Sequence, residues 1–275
     1  MDPLEQIRTG TQGPPAPLLH VEQVTLQYKT AQHLVTAASQ VDFRVYPADR
    51  FILLGPSGCG KSSLLKAVGG FLKPTDGRIL LNGREINKPG PDRMMVFQEF
   101  DQLLPWLTVR GNIEFPLTVA GKMTHRDAAG RATRYLEKVG LAEVADRHPH
   151  TLSGGMKQRV AIARAMAMEP DVLLMDEPFA ALDAMTRRKM QDELLQLWEG
   201  TGFTMLFVTH SIEEAIVVGS RILLLSPHPG RVKAELNAHA HTHEHVGQKA
   251  FLDLQERIHT LLFSSLQDIE ESARG

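Results

Sequence analysis

Cysteine is almost missing from this chain: among 275 residues only Cys59 carries a thiol, so no internal disulfide can form. A disulfide-stapled secreted scaffold is thereby excluded, and a reducing compartment fits. An excess of charge is missing too. The 30 basic and 32 acidic side chains leave a net charge of −2, so no general field draws the chain onto nucleic acid or anionic lipid. Apolar runs are short; Ile222-Leu223-Leu224-Leu225 falls well below the roughly 20 residues of a membrane helix. The opening residues carry Asp2, Glu5 and a Gly/Pro-rich stretch, unlike the basic-then-apolar pattern of a secretory signal. The chain is therefore expected in the cytoplasm, with any membrane role exercised through a partner. What is present, 43% hydrophobic and 23% charged residues, suits a globular protein with ample core.

Residues 1–17 read as a flexible leader, since Gly10, Gly13, Pro14, Pro15 and Pro17 oppose regular structure. From Leu18 onward Val21, Val24 and Leu26, then Val41, Phe43 and Val45, are strand-like. Phe51-Ile52-Leu53-Leu54 reads as a buried strand ended by Gly55-Pro56, and Leu64, Leu65, Ala67, Val68 and Phe71 follow with helical spacing. Further strands are expected at 79–81, 94–97, 172–175, 205–208 and 222–225, with a helix near 184–199. Buried strands separated by helices predict an α/β core with a largely parallel sheet. Residues 100–158 differ in texture and predict a helical insertion, clearest over 126–139. There is no repeat of solenoid length.

Gly55-Pro56-Ser57-Gly58-Cys59-Gly60-Lys61-Ser62 matches the spacing G-x-x-x-x-G-K-S of a phosphate loop, and it lies between a strand and a helix. Glycines let backbone N–H groups curl around phosphate oxygens, and the helix adds its positive dipole end. Lys61 is expected to reach the β and γ phosphates, and the Ser62 hydroxyl to ligate Mg²⁺. After the strand at 172–175 come Asp176 and Glu177. Asp176 is placed to hold Mg²⁺ through water, and Glu177 to polarise an attacking water.

Leu152-Ser153-Gly154-Gly155-Met156-Lys157-Gln158-Arg159 resembles the LSGGQ signature of ABC ATPases. Ser153 would also cap a helix, and a glycine-rich helix start offers free N–H groups to an anion. The resemblance spans about 18–230. It implies a P-loop NTPase (RecA-like) α/β core with a mainly parallel sheet, an antiparallel β subdomain and an inserted α-helical subdomain. It implies bound ATP and Mg²⁺. ATP would contact Tyr28, stacked on adenine, the loop residues Gly55, Pro56, Ser57, Gly58, Cys59, Gly60, Lys61, Ser62 and Ser63, and Gln98. Ser62, Gln98 and Asp176 would serve Mg²⁺; Glu177, His210 and Lys61 would serve catalysis. Ser153, Gly154, Gly155 and Asp183 would approach ATP held by a second copy of the chain. Met156 stands where glutamine is usual, with Ser153 and the backbone amides retained.

Three stretches, at 96–109, 179–187 and 226–231, are similar to the nitrate, taurine and aliphatic-sulfonate importer ATPases. This implies an ATP-hydrolysing subunit on the cytoplasmic face of the membrane, held by permease subunits and served by an extracytoplasmic solute-binding protein. Leu103, Leu104, Trp106 and Leu107 look exposed and would supply a groove for that permease, or simply belong to the core. No nucleic-acid partner is expected. The alternative, an ABC ATPase acting on nucleic acid or ribosomes, usually carries tandem domains, coiled coils or basic extensions. A GTPase is disfavoured because Gly90 in Asn87-Lys88-Pro89-Gly90 replaces the aspartate of a guanine motif. The ATPase domain is expected over 18–232 and a His-rich linker with a C-terminal helix over 233–275. Extended, His239, His241, His243 and His245 share a face; helical, they pair as His239/His243 and His241/His245. Such imidazoles can bind a transition metal or remain a solvated linker. Phe251, Leu254, Ile258, Leu261, Leu262 and Ile269 predict an amphipathic helix that packs on the core or, alternatively, makes a dimer contact.

Overall fold

The computed structural model describes residues 16–29, 34–98 and 102–272, with side chains to 263. Residues 1–15 of the expected leader, and Glu99, Phe100 and Asp101, lie outside the described residues, as does the side chain of Ile269. The chain runs β1 (Leu19–Lys29), β2 (Leu34–Val45), β3 (Arg50–Leu54), α1 (Lys61–Val68), β4 (Asp76–Leu81), β5 (Arg84–Glu85) and β6 (Arg93–Val96). It continues through α2 (Val109–Val119), α3 (His125–Lys138), α4 (Gly154–Ala167), β7 (Val172–Asp176), α5 (Ala184–Glu199) and β8 (Met205–Thr209). The last elements are α6 (Ile212–Val218), β9 (Arg221–Leu225), β10 (Val232–Asn237) and α7 (Lys249–Ser272).

A six-stranded sheet, ordered β10-β9-β3-β8-β7-β6, is parallel except for β10. A second sheet, ordered β2-β1-β4-β5, is antiparallel. The central strands are buried on both faces, and their period-two alternation divides them between two cores. Ile52 and Leu54 of β3 and Met205 and Phe207 of β8 face the core shared with α2–α7. Phe51, Leu53, Leu206 and Val208 face the core shared with α1 and the antiparallel sheet. The functional loop leaves the carboxyl end of β3, where neighbouring strands also end, the usual place for ligands in such sheets.

Some boundaries move. The helical block runs past 158 because α4 continues to Ala167 and packs against α2 and α3. The core sheet runs past 232 because β10 pairs with β9 as far as Asn237. Of the two readings of the 103–107 segment, Leu103 takes the core one, 3% exposed in the helical core, while Trp106 is 70% exposed. The reason lies in Asn112, whose side chain holds the Leu104 N–H and C=O, so the loop turns Leu103 inward.

Helix α7 packs on α6 and β9 through Phe251, Leu254, Ile258 and Leu262, as its apolar spacing requires. Lys233 fastens β10 to it by donating to the Leu261 carbonyl at 2.9 Å. The His-rich stretch is neither extended nor a full α-helix. A turn and a 3₁₀ segment at His243–His245 place His241 and His245 edge to face, while His243 tucks against Asp192. Among the described residues, no group of three or more His, Cys, Asp or Glu is placed to share a metal ion.

Candidate nucleotide-binding site

Between β3 and α1 the chain turns sharply, with φ of 79° at Gly58 and 92° at Gly60, in the left-handed region that favours glycine. A β-carbon at Gly60 would also sit 2.6 Å from the Ala37 carbonyl oxygen, so β2 closes the loop from behind. Ala37, Ser57, Gly58, Gly60, Lys61, Ser62, Ser63 and Glu177 line a cavity of about 220 Å³ at the start of α1. Lys61 is the first residue of that helix and 4% exposed. Its ammonium donates to the carbonyls of Gly55 at 2.7 Å and Pro56 at 2.9 Å, which neutral acceptors of the loop itself supply. A phosphate arriving in the cavity would offer Lys61 a full negative charge in exchange. Cys59 is fully buried, and burial pushes its thiol pKa up, so it packs as a small apolar group.

Strand β7 ends on Asp176, whose Oδ1 accepts from the Ser62 hydroxyl at 2.8 Å. These two oxygens lie about as far apart as adjacent ligands of an octahedral cation with bonds of ~2.1 Å. Burial raises the Asp176 pKa, the Ser62 hydrogen bond lowers it, and the neighbouring Glu177 charge raises it; the net direction is up. A raised folded-state pKa means that ionising Asp176 costs the fold stability as pH climbs from the ordinary 3.8 through the raised value. Asp176→Asn keeps an acceptor for Ser62 and removes the charge. Without nucleotide or metal it should melt above wild type, with a difference that opens as pH rises through that window and then levels off. Differential scanning fluorimetry between pH 3.5 and 8 measures this; an unchanged or lower midpoint at pH 8 would contradict the burial argument.

Glu177 follows with φ 44°, and its N–H donates to the Val208 carbonyl at 3.0 Å. That conformation turns its carboxylate from the strand end toward His210, whose Nδ1 lies 2.9 Å from Glu177 Oε2. Tyr28, at the end of β1, is partly exposed and donates its hydroxyl to Ser63 Oγ at 2.8 Å, bringing its ring to the loop. The structure thus gathers Tyr28, residues 57–63, Asp176, Glu177 and His210 in one place.

Other expected site residues stand apart. Gln98 is exposed, two residues beyond the end of β6. Ser153 is exposed and caps α4, accepting from the Met156 N–H at 3.3 Å. A β-carbon at Gly155 would meet Thr186 Cγ2 at 3.1 Å, so the signature packs against the start of α5. Asp183 caps that helix, accepting from the Met185 and Thr186 N–H groups, and these bonds lower its pKa.

Supporting residues escaped the sequence reading. Glu214 is buried under His210, accepts from Thr209 and from Gln191 at 2.8 Å, and has its pKa pushed up by burial. Ser211, two residues beyond β8, caps α6 by accepting from the Glu214 N–H. The Ser211-x-x-Glu214 spacing of a capping box was the available signal. Arg164 of α4 donates to the Gln102 carbonyl at 2.8 Å, and Gln102 donates to the Phe97 carbonyl at 2.9 Å, tying the segment beside Gln98 to the signature helix. No local spacing announces that link.

A glycine loop between a buried parallel strand and a helix, with carboxylates at the neighbouring strand end, defines a P-loop nucleotide-binding domain. The model of the ABC transporter family matches residues 38–180. The taurine import ATP-binding protein TauB of Rhizobium johnstonii is 46% identical over 247 residues, covering 87% of this chain and 93% of that protein. Its namesake from Pseudomonas putida is 41% identical over 264 residues, covering 93% and 99%. A dimeric ATP-binding cassette in a post-hydrolysis state, bound to ADP and Pi, superposes with a TM-score of 0.68 at 33% identity, over 80% of this chain and 98% of that one. The chain belongs to the ABC transporter family, as an ATP-binding subunit whose ATP hydrolysis powers transport.

Proposed function

We propose that two copies of this chain form the motor of an importer for taurine or a closely related small sulfonate, on the cytoplasmic face of the membrane. The substrate rests on the identity to taurine import proteins over nearly the whole chain. Among the described residues, no helix is long and apolar enough to cross a membrane, so the translocation path belongs to permease subunits. Trp106, Phe115 and Val119, exposed apolar side chains of the helical block, are the surface offered to them. A solute-binding protein would deliver the cargo outside.

One observation carries the two-copy reading. The loop cavity is lined by β2, the loop, α1 and Glu177, while the exposed Ser153 cap opens α4 elsewhere on the same chain, at a helix start whose first N–H groups have no intrahelical partners. A second copy placed with its signature over the loop supplies the missing anion donors. In that arrangement Lys61 leaves its own carbonyls for the phosphates and Tyr28 supports the adenine. Glu177 accepts the proton of the attacking water, and His210 orients Glu177 through their hydrogen bond. Ser62 and Asp176, with Gln98 once it swings inward, are the oxygen donors for Mg²⁺, which when bound neutralises charge on the phosphates. Asp183 sits at the copy-to-copy boundary. Closure of the pair on ATP and release after hydrolysis drive the permease.

The test is reconstitution of this chain with a taurine-type permease and its solute-binding protein. Taurine-loaded binding protein should stimulate ATPase activity, and nitrate or bicarbonate should not. Stimulation by an unrelated solute would overturn the substrate; stable ribosome or DNA association without a permease would overturn the importer reading.

A further inference from the structure

The β9–β10 turn, residues 226–231, lies against the back of the glycine loop. Its Gly230 donates its N–H to the Ala37 carbonyl at 3.0 Å and accepts from the Ser39 N–H at 2.9 Å, so it is stitched to β2. Ser226 shapes the turn. Its hydroxyl oxygen accepts from the Arg231 N–H at 2.9 Å, and its own N–H donates to the Arg231 carbonyl at 2.8 Å. At the other end of the loop, a β-carbon on Gly55 would sit 3.0 Å from the Leu225 carbonyl oxygen. The end of β9 and the turn that follows it therefore abut the two ends of the loop.

The contact at Gly230 is tighter still. A β-carbon there would lie 3.2 Å from the carbonyl carbon of Cys59 and far inside contact distance of its oxygen. The oxygen is closer by nearly a whole C=O bond, so that bond points straight at Gly230. Only a glycine Cα–H can meet it. A trans peptide is planar, with C=O and N–H pointing in opposite directions. The carbonyl of Cys59 and the N–H of Gly60 belong to one peptide unit. Aiming the first at Gly230 therefore aims the second away from the turn, and Gly60 is itself one of the residues that line the cavity.

We infer that Gly230 is a positioning residue for ATP: it sets the direction of the Gly60 amide that meets phosphate, through the Cys59–Gly60 peptide. This rests on the reading that the loop at 55–62 holds phosphate. Side chains at 230 would push the Cys59 oxygen inward, rotate the peptide and swing the Gly60 N–H off its target. Ala37, bonded to the Gly230 N–H, would feel the same push.

The experiment is steady-state ATPase kinetics with ATP titration, alongside melting of the ligand-free chain. Gly230→Ala should raise KM about tenfold or more, as expected for misaligning one hydrogen bond to a charged group, while kcat at saturation changes less than about twofold. Ser226→Ala, which loosens the turn without adding bulk, should raise KM in the same direction by about threefold. His228→Ala, exposed on the same turn, should leave both constants unchanged. A folded Gly230→Ala chain with wild-type KM, or one that loses kcat alone, would overturn the inference. Should Gly230→Ala fail to fold, an unchanged KM in Ser226→Ala overturns it instead. Undiminished ATP binding by Lys61→Ala would mark a separate failure, that of the phosphate-loop reading itself.

Discussion

Glu177→Gln should bind ATP as tightly as wild type and hydrolyse it at least about a hundredfold more slowly, the usual contribution of a general base. The amide replaces the carboxylate with nearly the same shape, so the loop at 55–62, the Ser62–Asp176 pair and the Tyr28–Ser63 contact are untouched. What disappears is a group able to take a proton from water at the cavity edge, together with the charge that His210 Nδ1 faces at 2.9 Å. Binding and closure precede that proton transfer. The variant should therefore accumulate with Mg²⁺-ATP as a closed two-copy complex, visible as a doubled mass by light scattering, while wild type returns to single chains as ATP is consumed. Phosphate release near the wild-type rate would mean that another group activates the water.

Much of the site was legible because its chemistry is local. Glycines at fixed offsets, a lysine and a serine at the start of α1 are a phosphate cradle whichever sheet carries them. The strands were legible for a related reason: runs such as 51–54 and 205–208 are apolar on both faces, which only a doubly covered sheet tolerates. What stayed hidden depends on contacts between distant segments. Leu103 was open between permease groove and core because its inward turn is dictated by Asn112, on the next helix. The histidines at 239–245 admitted several geometries by spacing alone, and the choice was made by the packing of His243 against Asp192 on α5. Arg164 reaching Gln102, and Gly230 facing Cys59, join residues far apart in sequence, and nothing in either neighbourhood announces the partner. The signature sits between these cases. Ser153-Gly154-Gly155 was legible as a motif and as a helix cap, yet the group it is proposed to serve lies on another copy of the chain.

Mixing two disabled chains tests that division between two copies most directly. Lys61→Ala removes the ammonium from the loop and leaves Ser153 intact. Ser153→Glu places a carboxylate where the partner's γ-phosphate is to arrive, on an exposed cap position whose loss costs only about 1 kcal/mol. Each chain alone should hydrolyse ATP at a small fraction of the wild-type rate, because every site it can build contains a fault. In a mixed pair, the sound loop of the Ser153→Glu chain faces the sound signature of the Lys61→Ala chain, so one complete site forms. Combining the two purified chains should restore ATPase activity, rising as either is titrated into the other. If each variant stays inactive at every mixing ratio while light scattering shows that mixed pairs assemble, or if Ser153→Glu alone keeps full activity, the shared site is contradicted.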